Sequence, residues 1–164
     1  APPSSLAPSS SSAPAWPTCD APEPGASART IHDVWMDNPA SPVEVWVAGV
    51  HVTAISGGAC RAGAACQVFV QEQASFADLA SAARRSLKLF VSANTAARFA
   101  GLAVGDVVDV DAFAWRYDVG GQNELLLEVN LALPGCAKKT GTGVPVPVAT
   151  TPSPLVHAST TPSP

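Results

Sequence analysis

Asp106-Val107-Val108-Asp109-Val110-Asp111-Ala112-Phe113-Ala114-Trp115-Arg116-Tyr117 is the longest alternating run in the chain. Val108, Val110, Ala112 and Ala114 fall on one side of it; Asp109, Asp111, Phe113, Trp115 and Tyr117 fall on the other. Side chains alternate across a strand with a period of two. The run therefore predicts a strand with an aliphatic inner face and an outer face of acids and aromatics. Gly120-Gly121, within 118–123, predicts a hairpin turn into a final strand over 124–131.

The same reading extends upstream. Val43 to Ile55 is a long strand in which Val43, Val45 and Val47 alternate with Glu44 and Trp46, and Gly49 marks a bulge or bend. A second strand runs over 67–72, with Val68 and Val70 opposite Phe69 and Gln71. Residues 75–87 read as a helix, because Phe76, Leu79, Ala80, Ala83 and Leu87 recur at helical spacing. Lys88–Ser92 is a short strand with Leu89 and Val91 opposite Phe90, and 95–100 is a short helix capped by Asn94 and stopped at Gly101.

Composition sets the limits of the folded unit. Proline accounts for 16 of 164 residues, yet every proline lies at or before Pro42 or at or after Pro134. The core of the domain is assigned to 43–133, within a unit of 18–139. Residues 1–17 read as a Pro/Ser-rich spacer and 140–164 as a Pro/Thr-rich tail. Residues 18–42 read as irregular, but Ile31, Val34, Trp35 and Met36 are too apolar for a free linker and are expected to lie against the domain. An alanine start followed by a spacer fits a mature secreted chain; a piece cut from a longer chain is the plain alternative. No apolar window is long enough for a transmembrane helix.

Four cysteines allow three pairings. Cys60 and Cys66 sit six apart in a Gly/Ala loop, and Cys19 and Cys136 flank the proline-free run. The favoured pairs are Cys60–Cys66 and Cys19–Cys136. There is no C-x-x-C motif, and His32, His51 and His157 are scattered, so no metal or cofactor is expected. The net charge is −4, and residues 43–133 hold six cations against nine acids. Phosphate-backbone binding draws on Lys and Arg, so nucleic acid is disfavoured as a partner.

The order is five strands with a small helix before the fourth. The predicted class is all-β with small helices, and the layout is that of the five-stranded OB-like Greek-key barrel, here stapled by disulfides. A β-sandwich is the alternative, since alternation does not separate closed from open sheets. Five stretches carry a more specific likeness: 47–53 (VAGVHVT), 68–72 (VFVQE), 102–110 (LAVGDVVDV), Tyr117, and Glu124-Leu125. In their order they resemble the OB-fold domain of secreted bacterial proteins, a type found beside extracellular nuclease domains and in surface lipoproteins. The resemblance spans roughly 45–130. It departs from the family at Ala112, where a glycine is usual, and in the inserted 73–87 segment.

The candidate site follows from the outer faces. Phe69, Gln71, Lys88, Phe90 and Trp115 fall where OB folds stack bases or sugars. Phe113 and Tyr117 extend the row. Burial of these aromatics beneath the 75–87 helix or the apolar 31–36 segment is the competing reading and the favoured one, because exposed aromatic clusters are unusual. Asp106, Asp109 and Asp111 offer oxygen ligands for a hard cation, but a solvated strand face fits them better. His51 with Asp109 is the only approach to a hydrolase, and no G-x-S-x-G turn presents a nucleophile. The expectation is a secreted or cell-envelope, non-catalytic binding module for a protein or glycan. A nucleic-acid-binding accessory domain and a small hydrolase are the alternatives.

Overall fold

A computed structural model of the chain describes residues 25–142. Seven strands and two short α-helices follow in the order β1 (Ser27–Ala28), α1 (Ile31–Asp37), β2 (Val43–Ile55), β3 (Cys66–Gln71), α2 (Leu79–Ala82), β4 (Ser86–Val91), β5 (Asp106–Val119), β6 (Gln122–Val129) and β7 (Cys136–Thr142). The protein is mostly β, and all seven strands belong to one sheet. The expected spacer 1–17, the end of the tail, and Cys19 lie outside the described residues.

The order along the sheet is β1-β2-β3-β4-β6-β5-β7, with a further pairing of β2 to β5. β2 pairs with both β3 and β5, β3 with β4, β4 with β6, and β6 with β5. These five pairings return to their start. All are antiparallel except β4–β6, which is parallel and joins Leu89–Val91 to Leu127–Val129. The core inside this ring is almost wholly aliphatic. Val47, Val50, Val52, Val68, Val70, Leu89, Val91, Val108, Val110, Ala112, Ala114, Leu127 and Val129 are all buried. Alternation puts them there: on each strand the neighbours of these residues face outward.

Two sharp turns have the backbone that only glycine adopts cheaply. Gly49 has φ +66° within a register shift between Val47 and Val50, so the expected bulge is present. Its N–H donates to Asp109 Oδ1 at 2.8 Å. Gly120 and Gly121 both have positive φ and join β5 to β6 with Val119 opposite Gln122, the expected two-residue hairpin.

Short helical segments add side chains to the core. Thr30 and Asp33 form a reciprocal capping box at the start of α1, with Asp33 N–H donating to Thr30 Oγ1 and Thr30 N–H to Asp33 Oδ2, both at 3.0 Å. The backbone hydrogen bond from Thr30, followed by its side-chain bond, holds the Asp33 carboxyl below its usual range. The cap aims Ile31 and Val34 into the core, where both are buried. Met36, expected to pack, is 60 % exposed instead, because it lies on the far side of the helix. Glu72 fastens α1 to the sheet: its Oε1 accepts from His32 N–H at 2.8 Å and its Oε2 pairs with Arg85 at 2.9 Å. Arg116 holds the other end, donating to Asn38 Oδ1 and to Asn123 Oδ1, each at 2.7 Å. A 3-10 turn, Ala96–Phe99, brings Phe99 into the core between β4 and β5. Asn94, the expected cap, is exposed, and Thr95 precedes the turn without capping it. The Thr95 hydroxyl is turned inward to the Ser92 and Val129 carbonyls.

Three further expectations are corrected. The helix over 75–87 shrinks to Leu79–Ala82, none of it buried, and Leu79 is 90 % exposed. Leu87 is claimed by the β3–β4 ladder, where it faces Val70, and Glu72 N–H takes the Arg85 carbonyl. Without a packed face a helix of one turn does not propagate. Arg84 then turns the chain with φ +57°. An Arg84→Gly substitution relieves that conformation and is expected to raise stability by about 0.5–1 kcal/mol, read from a urea midpoint. Secondly, 18–42 is not irregular throughout, since it contains β1 and α1. Thirdly, the sequence reads as spacer beyond 139, whereas strand β7 continues to Thr142 along β5.

Cys60–Cys66 is bonded, with a Cα–Cα separation of 5.3 Å. It closes the loop between β2 and β3, where Gln67 N–H also donates to Ser56 Oγ at 2.9 Å. Cys136 is disulfide-bonded as well. Replacing Cys60 and Cys66 together with serine is expected to cost about 2.4 kcal/mol, the loop-closure entropy of so short a ring. Calorimetric unfolding of that variant checks it.

Candidate functional site

Nine aromatic residues are described, and Phe99 alone among them is buried. Six others (Trp46, Phe69, Phe90, Phe113, Trp115 and Tyr117) are outward on strands; the first five adjoin buried neighbours, and Tyr117 lies further along β5 between Arg116 and Asp118. Apolar rings are ordinarily the largest contributors to a core. Here the sheet forms its core from valine, leucine and alanine and carries most of its aromatics outside.

Register brings several of them together. Phe69 lies opposite Lys88, and Gln67 opposite Phe90, across β3 and β4. Phe90 lies beside Glu128 in the parallel β4–β6 pair. Across the β5–β6 hairpin, Trp115 faces Leu126, Tyr117 faces Glu124, and Phe113 faces Glu128. Leu126 points outward, yet it is only 5 % exposed, which shows how closely the surrounding side chains gather over it. Gln67, Lys88, Phe90, Tyr117, Glu124, Leu126 and Glu128 line a groove of about 210 Å³ on this face.

The rings are fixed by their neighbours. Trp115 Nε1 donates to Glu128 Oε2 at 2.7 Å, and Glu128 Oε1 accepts from Asn130 Nδ2 at 2.7 Å. Trp115 and Tyr117 meet edge to face with centroids 5.2 Å apart. Lys88 Nζ pairs with Glu124 Oε2, a link from β4 to β6 beyond the end of their ladder. Phe69 is 39 % exposed, and Phe90, Trp115 and Tyr117 are half-buried. The helix expected to cover them does not: α2 has no buried residue.

Of the five residues singled out from sequence, Phe69, Lys88, Phe90 and Trp115 share this face. Gln71 is drawn away, with its Nε2 donating to the Ala74 carbonyl at 3.0 Å. Tyr117, Glu124, Leu126 and Glu128 complete the groove. The two-residue turn at Gly120-Gly121 carries the signal for Tyr117 opposite Glu124, because turn length sets hairpin register.

The other candidates are engaged in the fold. Asp106 is buried; its Oδ2 accepts from Ala103 N–H at 2.8 Å and its Oδ1 pairs with Lys139 Nζ at 2.7 Å. Asp109 Oδ1 receives the Gly49 N–H. Among the described residues no group of three or more His, Cys, Asp or Glu is placed to hold a metal ion. His51 is half-buried on β2, between Gln71 and Val107. A larger and shallower hollow of about 450 Å³ lies beside Trp46, lined by Arg29, Asp33 and Glu72 among others. No helix of the described residues is long and apolar enough to cross a membrane. No protein-family model and no curated protein matches the chain.

Proposed function

We propose that this chain is a secreted or cell-envelope binding module without catalytic activity, built on an OB-like five-stranded barrel that takes its ligand on the outer face of β3, β4, β6 and β5. The observation that carries the reading is the placement of the aromatics. Six of the nine described ones stand outside an aliphatic core, and four line or flank one groove. Half-exposed rings held by hydrogen bonds and edge-to-face contact cost a soluble protein solvent-facing apolar area. A ligand that stacks on them recovers it. Ile31, Val34 and Phe99 are all buried in the core.

The OB-like assignment is supported by the strand order, in which the first strand of the ring meets both the second and the fourth, and the third runs parallel to the fifth. The Cys60–Cys66 bond favours an oxidising compartment.

Amide NMR titration of the full chain at low salt tests the site, using neutral oligosaccharides and a short single-stranded DNA as probes. Shifts confined to Gln67, Lys88, Phe90, Tyr117 and their neighbours are expected. Shifts centred instead on the Trp46 hollow or on the 73–85 segment overturn the assignment.

A further inference from the structure

We infer that the groove takes a neutral, hydroxyl-rich glycan, with a sugar ring seated over Phe90 and Tyr117. The inference rests on the reading of this face as a ligand site and gives its ligand a class.

Size comes first. A volume of about 210 Å³ is below that of pockets enclosing drug-sized ligands, which run roughly 300–1,000 Å³. It suits one ring of a longer chain. The floor is apolar, made by Phe90, Tyr117 and Leu126. The negative face of an aromatic ring attracts the positively polarised C–H groups along one side of a pyranose.

The rim supplies hydrogen bonds of both senses. Gln67 donates and accepts, Lys88 donates, and Glu124 and Glu128 accept. A sugar hydroxyl donates one hydrogen bond and accepts up to two, so it uses a mixed rim in full. A phosphate accepts only, and here it meets two carboxylates.

Charge decides between a glycan and a polyanion. The groove holds one cation and two acids, and Lys88 is already engaged by Glu124. Nucleic-acid affinity arises from cations that neutralise phosphates and release counterions. None in this groove is disengaged. Glu128 is likewise held by the Trp115 indole N–H and the Asn130 amide, a geometry that leaves it a fixed acceptor.

Outward aromatic rings also occur past the groove. Trp115 stands opposite Leu126, Phe113 opposite Glu128, and Trp46 opposite Asp111. Straight across the strands from Phe90 stand Glu128 on β6 and Phe113 on β5. Neighbouring strands are spaced about 4.8 Å apart, so Phe113 stands about 10 Å from Phe90, and a linear oligosaccharide of about two or three sugars laid across them meets both rings. The ligand is accordingly a polymer rather than a single sugar.

The full chain is tested on an array of immobilised neutral, amino-substituted and acidic oligosaccharides, and hits are measured by calorimetry at low and high salt. At least one neutral oligosaccharide is expected to bind, with affinity changed less than two-fold by salt. Phe90→Ala is expected to weaken it roughly ten-fold or more, and Phe90→Leu, which keeps bulk but loses the ring face, by a similar factor. An array without neutral hits, or binding that weakens steeply with salt, overturns the inference. If the DNA probe shifts Gln67, Lys88 and Phe90 while no neutral glycan does, the ligand class is wrong and the site stands. If neither probe moves those amides, the site reading falls with it.

Discussion

Phe99→Ala is expected to lower the unfolding free energy by about 4 kcal/mol, the cost of emptying a buried phenylalanine site that cannot collapse. Phe99 is fully buried, as are Thr95 and Ala96 of the same turn, and Leu102 is nearly so. The turn hangs between β4 and β5 and is tied to the sheet by the Thr95 hydroxyl and the Ser92 N–H, both directed at the Val129 carbonyl. Removing the ring leaves a cavity in an aliphatic core whose own residues have no larger side chain to move in. With total stability of typical domains near 5–15 kcal/mol, such a loss removes roughly a quarter to four-fifths of it. Urea unfolding checks it: the midpoint falls while the slope is unchanged. Phe99→Leu, which keeps most of the volume, is expected to lose about 1 kcal/mol. Equal losses for the two variants would show that the ring does not plug the core.

Gly135→Ala is expected to cost about 3 kcal/mol, at the upper end for overpacking. The reason is contact and not backbone conformation. A Cβ at this position would stand 2.3 Å from the Asp111 carbonyl oxygen and 2.8 Å from Val129 Cγ2. The first is backbone in the middle of β5 and cannot swing aside. Gly135 lies in the loop from β6 to β7, where Asn130 Oδ1 gathers the N–H groups of Ala132 and Leu133, both at 2.8 Å. β6 and β7 both pair with β5, one after the other, and the loop must pass against that strand between them. The same unfolding experiment measures the loss. Gly141→Ala, whose nearest neighbour would be 3.9 Å away, serves as the control and is expected to change little.

Much of the strand pattern is legible directly in the sequence. The alternation of 106–117, the bulge at Gly49 and the turn at Gly120-Gly121 are local signals, and each is present in the structure. Strands outside that pattern lack such a signal. β7 is Cys-Ala-Lys-Lys-Thr-Gly-Thr, and only Ala137 within it is buried, because the strand pairs on one side alone and puts lysines outward. Edge strands are commonly guarded in this way, which erases the hydrophobic period. The opposite holds at 75–87, where a local signal misleads. Leu87 and the alanines match a helical stripe, but Leu87 belongs to β4, and the stripe has no face left to bury. α1 has a readable start, Thr30-Ile31-His32-Asp33, but its cap spacing stands in a proline-rich stretch whose composition argues for irregular chain.

The site is half legible for the same reason. Outward parity alone marks Phe69, Lys88, Phe90 and Trp115. Gln71 shares that parity but sits at the strand end, where the following loop claims its amide. Glu124 and Glu128 come into the groove only through the pairing of β6 with β5 and with β4, and the second of these is parallel and distant in sequence. Nothing local in the chain specifies it. That Glu128 restrains Trp115 is likewise a product of register.

The proposed function gives two phenylalanines different roles, with Phe99 supporting the fold and Phe90 serving a ligand. Comparison of Phe99→Ala with Phe90→Ala, each measured for stability in urea and for binding to the best neutral oligosaccharide, tests that division most directly. The prediction is that Phe90→Ala loses less than about 1.5 kcal/mol of stability, as a half-buried ring should, while its affinity falls roughly ten-fold or more. A Phe90→Ala variant that unfolds as readily as Phe99→Ala, or that keeps its full affinity, would contradict it.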